Sequence, residues 1–200
     1  MTPLRAPFGT SVIVATAVAL SGCAAPPGDP NHDASNPVAT LHTSMGEIAI
    51  ELYRAKVPET VDNFLSYARA RFYEGTIFHR VIDDFVVQGG GVLQNGTEKP
   101  TQEPIPFEID NDLTHVDGAV GMARTEDPDS ATSQFYIADG KQHRLDDSNR
   151  LSTRKEHGYA VFARVVAGMD VVRAIAKVPT DSNDQPLRDV VLERVTVAGS

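Results

Sequence analysis

Arg80 is the side chain with the clearest chemical potential in this sequence. It stands in the run FHRVIDDFVVQGGG (residues 78–91), among aromatic and β-branched neighbours and ahead of Gln88 and three glycines. Charged side chains are rarely buried unless paired, so a guanidinium on an apolar strand points into a cleft where a neutral or anionic group meets it. No cysteine or metal cluster lies alongside, which suggests polarisation of a bound group and not covalent attack. The plainer reading is a surface salt bridge to Asp83 or Asp84, an interaction worth little. His79 invites the role of general base. Strand alternation puts it on the face opposite Arg80, so it reads as a structural side chain. Gly89, Gly90 and Gly91 fit neither G-x-G-x-x-G nor the lysine-containing phosphate loop; they read as a barrel bend or bulge. The histidines are scattered and form no H-E-x-x-H, so no metal site is expected.

A second informative stretch is GAVGMARTEDPDSATSQFYI (residues 118–137), a strand, a polar turn and a second strand bearing Gln134 and Tyr136. The elements that must position these groups follow from periodicity. Residues 38–41 and 47–53 read as strands about a Thr-Ser-Met-Gly turn, with Ile48, Ile50 and Leu52 alternating with Glu47, Ala49 and Glu51 as in a half-buried strand. Pro58 opens a helix where its missing N–H costs nothing. Val61, Phe64, Leu65 and Ala68 give that helix one apolar stripe. Short strands follow at 77–81, 85–88, 119–123, 134–138 and 160–165, then a helix at 169–176 and a last strand at 190–197. Many short strands with two helices predict a mainly β fold, a barrel or sandwich whose open ends the helices cover.

The chain has 200 residues, one domain's worth, with 41% hydrophobic and 22% charged residues. Its formal charge of −9 argues against a nucleic-acid partner, which needs a basic patch. The sole cysteine, Cys23, excludes an internal disulfide and every cysteine-based zinc motif. Ser11 to Leu20 form a short apolar run, too short to span a bilayer but suited to a secretory signal. It ends in Leu20-Ser21-Gly22-Cys23, which resembles the bacterial lipobox. The expected organisation is a signal peptide at 1–22, a proline-rich extended tether at 23–37 starting from a lipidated Cys23, and a globular domain at 38–200. Acyl chains on Cys23 would anchor the protein to a membrane of the cell envelope. In a Gram-negative host, Ala24 would favour the outer membrane, with the domain facing the periplasm.

Four ordered motifs carry a family resemblance: VPETVDNF (residues 57–64), FHRVIDDFVVQGG (78–90), GMARTEDPDSATSQFYI (121–137) and GYAVFARVVAGMDVV (158–172). Together they resemble the cyclophilin family of peptidyl-prolyl cis-trans isomerases, in the wording of its bacterial, periplasmic branch. The resemblance implies a closed eight-stranded antiparallel β-barrel capped by two α-helices, and isomerisation of X–Pro bonds in exported polypeptides. It also implies a monomer, no cofactor and no metal. Arg80 matches the catalytic arginine, and Phe85, Val86 and Gln88 match pocket residues on the next strand. Ala123 and Arg124 fall where substrate backbone is held, and Gln134 and Tyr136 on the following strand. Leu145 and Tyr159 close the far side of the proline pocket, with Phe162 near them, and Gly96 matches a glycine of the rim loop.

The chain departs from the family pattern at Arg144, where tryptophan or phenylalanine is usual. A flexible cation there is expected to weaken the apolar wall and the binding of cyclosporin-like ligands. Tyr136 replaces a phenylalanine and Val86 a methionine. The charged stretch 146–157 reads as a surface loop beside the pocket. A rival function, a module that holds proline-containing segments without turning them over, is disfavoured by the presence of Arg80 with Gln88 and Gln134.

Overall fold

Alternation and turn chemistry produce eight strands and two helices. A computed structural model describes residues 30–110, 112–146 and 158–198. In chain order they are β1 (Val38–Thr43), β2 (Gly46–Leu52), α1 (Pro58–Arg69), β3 (Thr76–Ile82), β4 (Val86–Leu93), β5 (Ala119–Met122), β6 (Phe135–Ala138), β7 (Val161–Ala167), α2 (Met169–Ala176) and β8 (Val191–Val197). Each strand pairs antiparallel with two neighbours, and the order β1-β2-β7-β5-β6-β4-β3-β8 closes on itself. Closure leaves no strand edge open to other chains. Among the described residues no helix is long and apolar enough to cross a membrane. The expected signal peptide and Cys23 lie outside the described residues, as does most of the 146–157 stretch.

The barrel is filled, not hollow. Ile48, Ile50 and Leu52 of β2 are fully buried, and Phe64 of α1 reaches in to meet Tyr73, Phe135 and Phe162 at ring separations of 5.3, 5.7 and 5.4 Å. Burying each such side chain is worth about 1.5–3 kcal/mol, so this aromatic group holds α1 to the barrel. α2 buries Val172 and Ile175 instead. Gly46, at the start of β2, lies against Val171 of α2, whereas β2 ends at Leu52, six residues before α1. The two helices therefore cover opposite ends.

Pro58 does open α1, but the cap comes from elsewhere. Val57 offers no side-chain cap. The Glu108 carboxylate accepts from the backbone N–H groups of Glu59 and Thr60 and from the Thr60 hydroxyl, at 3.3, 2.8 and 2.9 Å. It satisfies donors that every helix start leaves open.

Two expectations for the N-terminal part need correction. β2 is not half-buried: Ala49 is 8% and Glu51 only 2% exposed, although both point out of the barrel. The cover is the segment expected to be free tether. Residues 31–36 do not extend, because the Glu51 carboxylate accepts from the Asp33 backbone N–H at 3.0 Å and the Asn36 amide at 2.9 Å, and pairs with His32 Nδ1 at 2.9 Å. A buried carboxylate needs its acceptor sites filled, and this turn fills them. The part of 23–37 from residue 30 onward thus belongs to the folded unit.

Candidate active site

β3 meets β4 across two irregularities of register, one between Ile77 and Phe78 and one between Phe78 and Arg80. Such bulges bend a strand and re-aim its side chains. The glycine run makes room for them. A Cβ on Gly89 would crowd Phe78, one on Gly90 would crowd the Phe135 ring, and one on Gly91 would sit 2.7 Å from Gln134 Cγ. The glycines stand at the bulge, as their sequence suggests, and their missing side chains leave room for the rings around it.

Beyond the bulge the register aligns one row across four strands. Arg80 of β3 pairs with Gln88 of β4, Gln88 with Tyr136 of β6, and Tyr136 with Gly121 of β5. The row faces outward, and Arg80, Gln88 and Tyr136 border a pocket of about 210 Å³ on the barrel's outer wall. Its other walls are Phe85 and Val86 from the β3–β4 corner, Ala123 and Arg124 after β5, and Leu145 and Tyr159. Gly121 is required where it stands, since a Cβ there would collide with the Tyr136 hydroxyl.

Arg80 is held at the pocket edge from a direction its sequence neighbours do not suggest. Its Nε approaches Asp184 Oδ2 at 3.7 Å, and both side chains are part-exposed. Asp184 is fixed by its own carbonyl, which accepts from the Val81 N–H at 2.8 Å. The expected plain partners, Asp83 and Asp84, are not used. Asp184 lies a hundred residues downstream, in a loop with no signature, so nothing in the sequence points to it. His79 is part-buried and borders no part of the pocket. Burial pushes its pKa down, and its Nδ1 has no hydrogen-bond partner.

Phe85 is a wall flanked by two cations. The Arg144 guanidinium lies 4.0 Å from its ring centroid and Arg80 lies 5.8 Å away on the same ring. Arg144 is thus not the loose, flexible cation its sequence position suggests; it stacks on the wall. The corner carrying Phe85 is tied down by Gln142, whose amide donates to the Asp84 and Asp139 carbonyls at 2.8 and 2.9 Å. Asp83, Asp84 and Asp139 bring three carboxylates close together below this corner, and one of them already accepts from the Asp84 N–H.

The opposite wall is a strut. Arg124 donates to the Gly158 carbonyl through Nε and Nη2 at 3.2 and 2.9 Å and lies 4.7 Å over the Tyr159 ring. Its guanidinium is thereby committed to positioning Tyr159. Tyr159 in turn donates its N–H to the Leu145 carbonyl at 3.0 Å, which joins these two walls of the pocket. Gln134 sits one step behind the pocket, where its Oε1 accepts from Gln88 Nε2 at 3.2 Å. Phe162 does not belong to the site: it is fully buried and packs on Phe64 inside the barrel. Strict alternation would put Phe162 on the outward face with Arg164, the partner of Glu51, but the register slips between Val120 and Gly121, leaves Phe162 as the extra residue of β7 and turns it inward. Gly96 has φ +78° in the turn after β4, with open space around it.

The sequence reading missed His115, which is fully buried. Its Nδ1 lies 2.6 Å from Asp146 Oδ1 and its Nε2 2.7 Å from the Tyr136 hydroxyl. Burial lowers the His115 pKa against the raising effect of Asp146. Burial likewise drives the Tyr136 phenol well above its ordinary value, with Tyr159 and Asp146 adding to the shift.

A closed eight-stranded barrel with its cleft on the outer wall, edged by one arginine and floored by apolar and aromatic side chains, defines a narrow structural class. Comparison with known proteins places the chain within it. The family model described as cyclophilin type peptidyl-prolyl cis-trans isomerase/CLD matches residues 38–197. A peptidyl-prolyl cis-trans isomerase of Acinetobacter baylyi is 48% identical over 152 residues, covering 76% of this chain and 78% of that protein. Peptidyl-prolyl cis-trans isomerase B of Escherichia coli is 46% identical over 169 residues, covering 80% and 99%. The crystal structure of a Cryptosporidium parvum cyclophilin-type isomerase superposes with a TM-score of 0.71 at 23% identity, covering 82% and 99%. The chain belongs to the cyclophilin-type peptidyl-prolyl cis-trans isomerase family.

Proposed function

We propose that this protein isomerises X–Pro bonds of exported polypeptides, with the pocket on β3, β4, β5 and β6 as its active site. The isomerase class comes with the family. The observation that carries the site is the register row Arg80–Gln88–Tyr136, with Phe85 and Val86 beside it.

The chemistry asks little of the protein beyond geometry. Rotation about a prolyl amide breaks C–N double-bond character against a barrier of about 18–20 kcal/mol and takes tens to hundreds of seconds unaided. At the twisted transition state the nitrogen lone pair localises and becomes an acceptor. A guanidinium aimed at that nitrogen stabilises the twisted state and gains little from the planar one, which is the differential binding catalysis needs. Arg80 is suited to this because it stays charged and its fork can serve two acceptors. Its Nε faces Asp184, which orients the terminal nitrogens. Phe85, Val86 and the Tyr136 ring hold the prolyl ring still, and Gln88, steadied by Gln134, holds the backbone. Ala123 borders the same groove.

One charge-assisted hydrogen bond is worth roughly 1.5–3 kcal/mol. Arg80→Ala should therefore lower kcat/KM on a proline peptide by roughly 10- to 150-fold with an unchanged circular-dichroism spectrum. Near-normal turnover by that variant would refute the assignment and leave peptide holding as the function. The exported context rests on the leader sequence: lipidation of Cys23 would fix the domain to an envelope membrane, where client chains emerge unfolded.

A further inference from the structure

The pocket's tyrosine is wired to a buried histidine and a carboxylate, and the wiring dictates where its proton points. Asp146 Oδ1 accepts from the His115 backbone N–H at 2.7 Å and contacts His115 Nδ1 at 2.6 Å. Hydrogen bonds from His115 and from His143 hold the Asp146 carboxyl below its ordinary pKa even though burial opposes them. An ionised carboxylate only accepts, so Nδ1 carries the imidazole proton. Nε2 then presents a lone pair, and the Tyr136 hydroxyl, 2.7 Å away, donates to it. The two rings are nearly parallel, 12° apart, and the missing Cβ of Gly121 leaves the hydroxyl the room to lie there.

We propose that His115 is a specificity-determining positioning residue, which keeps the Tyr136 hydroxyl turned away from the proline pocket so that Tyr136 presents only its ring there. The proposal rests on the isomerase reading of that pocket. The groups that face His115 are few. Asp146 and His143 approach from the turn His143–Leu145 and the residue after it, and Tyr136 approaches from β6. Tyr159 and Arg124 stand beyond Tyr136.

Protonation of His115 reverses the relay. Nε2 then carries a proton of its own, so the hydroxyl has to accept and its hydrogen turns outward. The backbone of Gly121 and the Tyr159 ring close off two sides, leaving the pocket. A donor at the floor of a site built for a prolyl ring finds no acceptor there, and binding weakens. The neutral form is favoured at neutral pH because burial lowers the histidine's pKa, so the reversal belongs to acid conditions.

The test compares kcat and KM for a Xaa-Pro peptide between pH 8 and pH 5, for the full chain and three variants, with ¹⁵N shifts of His115 read in parallel. The intact protein should show an acid limb, a rise in KM of about tenfold with kcat little changed, the pattern of lost uniform binding. Tyr136→Phe should flatten that limb whatever its activity at pH 8. His115→Gln should flatten it too, provided its melting curve shows a folded protein. His143→Gln should keep it. At pH 8 the ¹⁵N shifts should report the proton on Nδ1. An acid limb that survives in Tyr136→Phe, or a proton found on Nε2 at pH 8, overturns the proposal. Absence of turnover by the intact protein at pH 8, with the proton still on Nδ1, would instead count against the isomerase reading and leave the relay standing.

Discussion

Single side chains here are set by partners far away in sequence. Arg80 takes its direction from Asp184, Tyr136 from His115, and Phe85 from the guanidinium stacked upon it. The last of these makes a prediction at the residue scale. An exposed cation–π contact is worth about 0.5–1 kcal/mol, so Arg144→Ala should free the Phe85 ring and raise KM roughly two- to fivefold with kcat little altered. Steady-state kinetics on a proline peptide decides it, and an unchanged KM would mean that the stack does nothing for the pocket. Motif and alternation make Arg80, Phe85, Val86, Gln88 and Tyr136 legible as neighbours in the amino-acid sequence itself. Asp184 and His115 are not legible there, because their roles come from barrel closure and carry no local pattern. Phe162 is misplaced for a related reason. Proximity to Tyr159 in sequence suggests a shared site, but the slip of register against β5 turns its side chain inward.

Elements follow their local chemistry more faithfully than side chains do. The helix at Met169–Ala176 has the bounds its apolar stripe indicates, and Pro58 begins α1 as proline should. The strands fall where β-branched and aromatic runs lie. What stays hidden is every long-range fastening: Glu108 as the cap of α1, and the slips of register that let Arg80 face outward. A lost cap costs about 1–2 kcal/mol. Glu108→Ala should accordingly lower Tm by roughly 2–8 °C, measured by calorimetry. A smaller change would show that water replaces the carboxylate at the helix start. Neighbouring Ile105 bridges to Ala131, and the Phe107 N–H donates to Asp129, so the strand of chain carrying Glu108 keeps its place in the variant.

At the scale of the molecule the barrel gives a rigid wall, and function is confined to one side of it. Strands β3, β4 and β6, with the segments after β5 and before β7, line the pocket, and the other strands complete the closure. The leader expected at residues 1–22 would extend this picture beyond the fold. If Cys23 carries lipid, Cys23→Ser should move the protein from the membrane fraction to the soluble fraction of the cell envelope. Retention in the membrane would remove the anchor from the account. The turn at residues 31–36, fastened to Glu51, then acquires a second meaning. Eight strands in a ring put β2 four places from β4, diametrically across the barrel. Nine residues from Cys23 to Asn31 reach at most about 30 Å when stretched. With Cys23 lipidated, a leash so short, moored to the back of the barrel, would act as a compass: the proline pocket would look away from the membrane, toward chains arriving from open solvent.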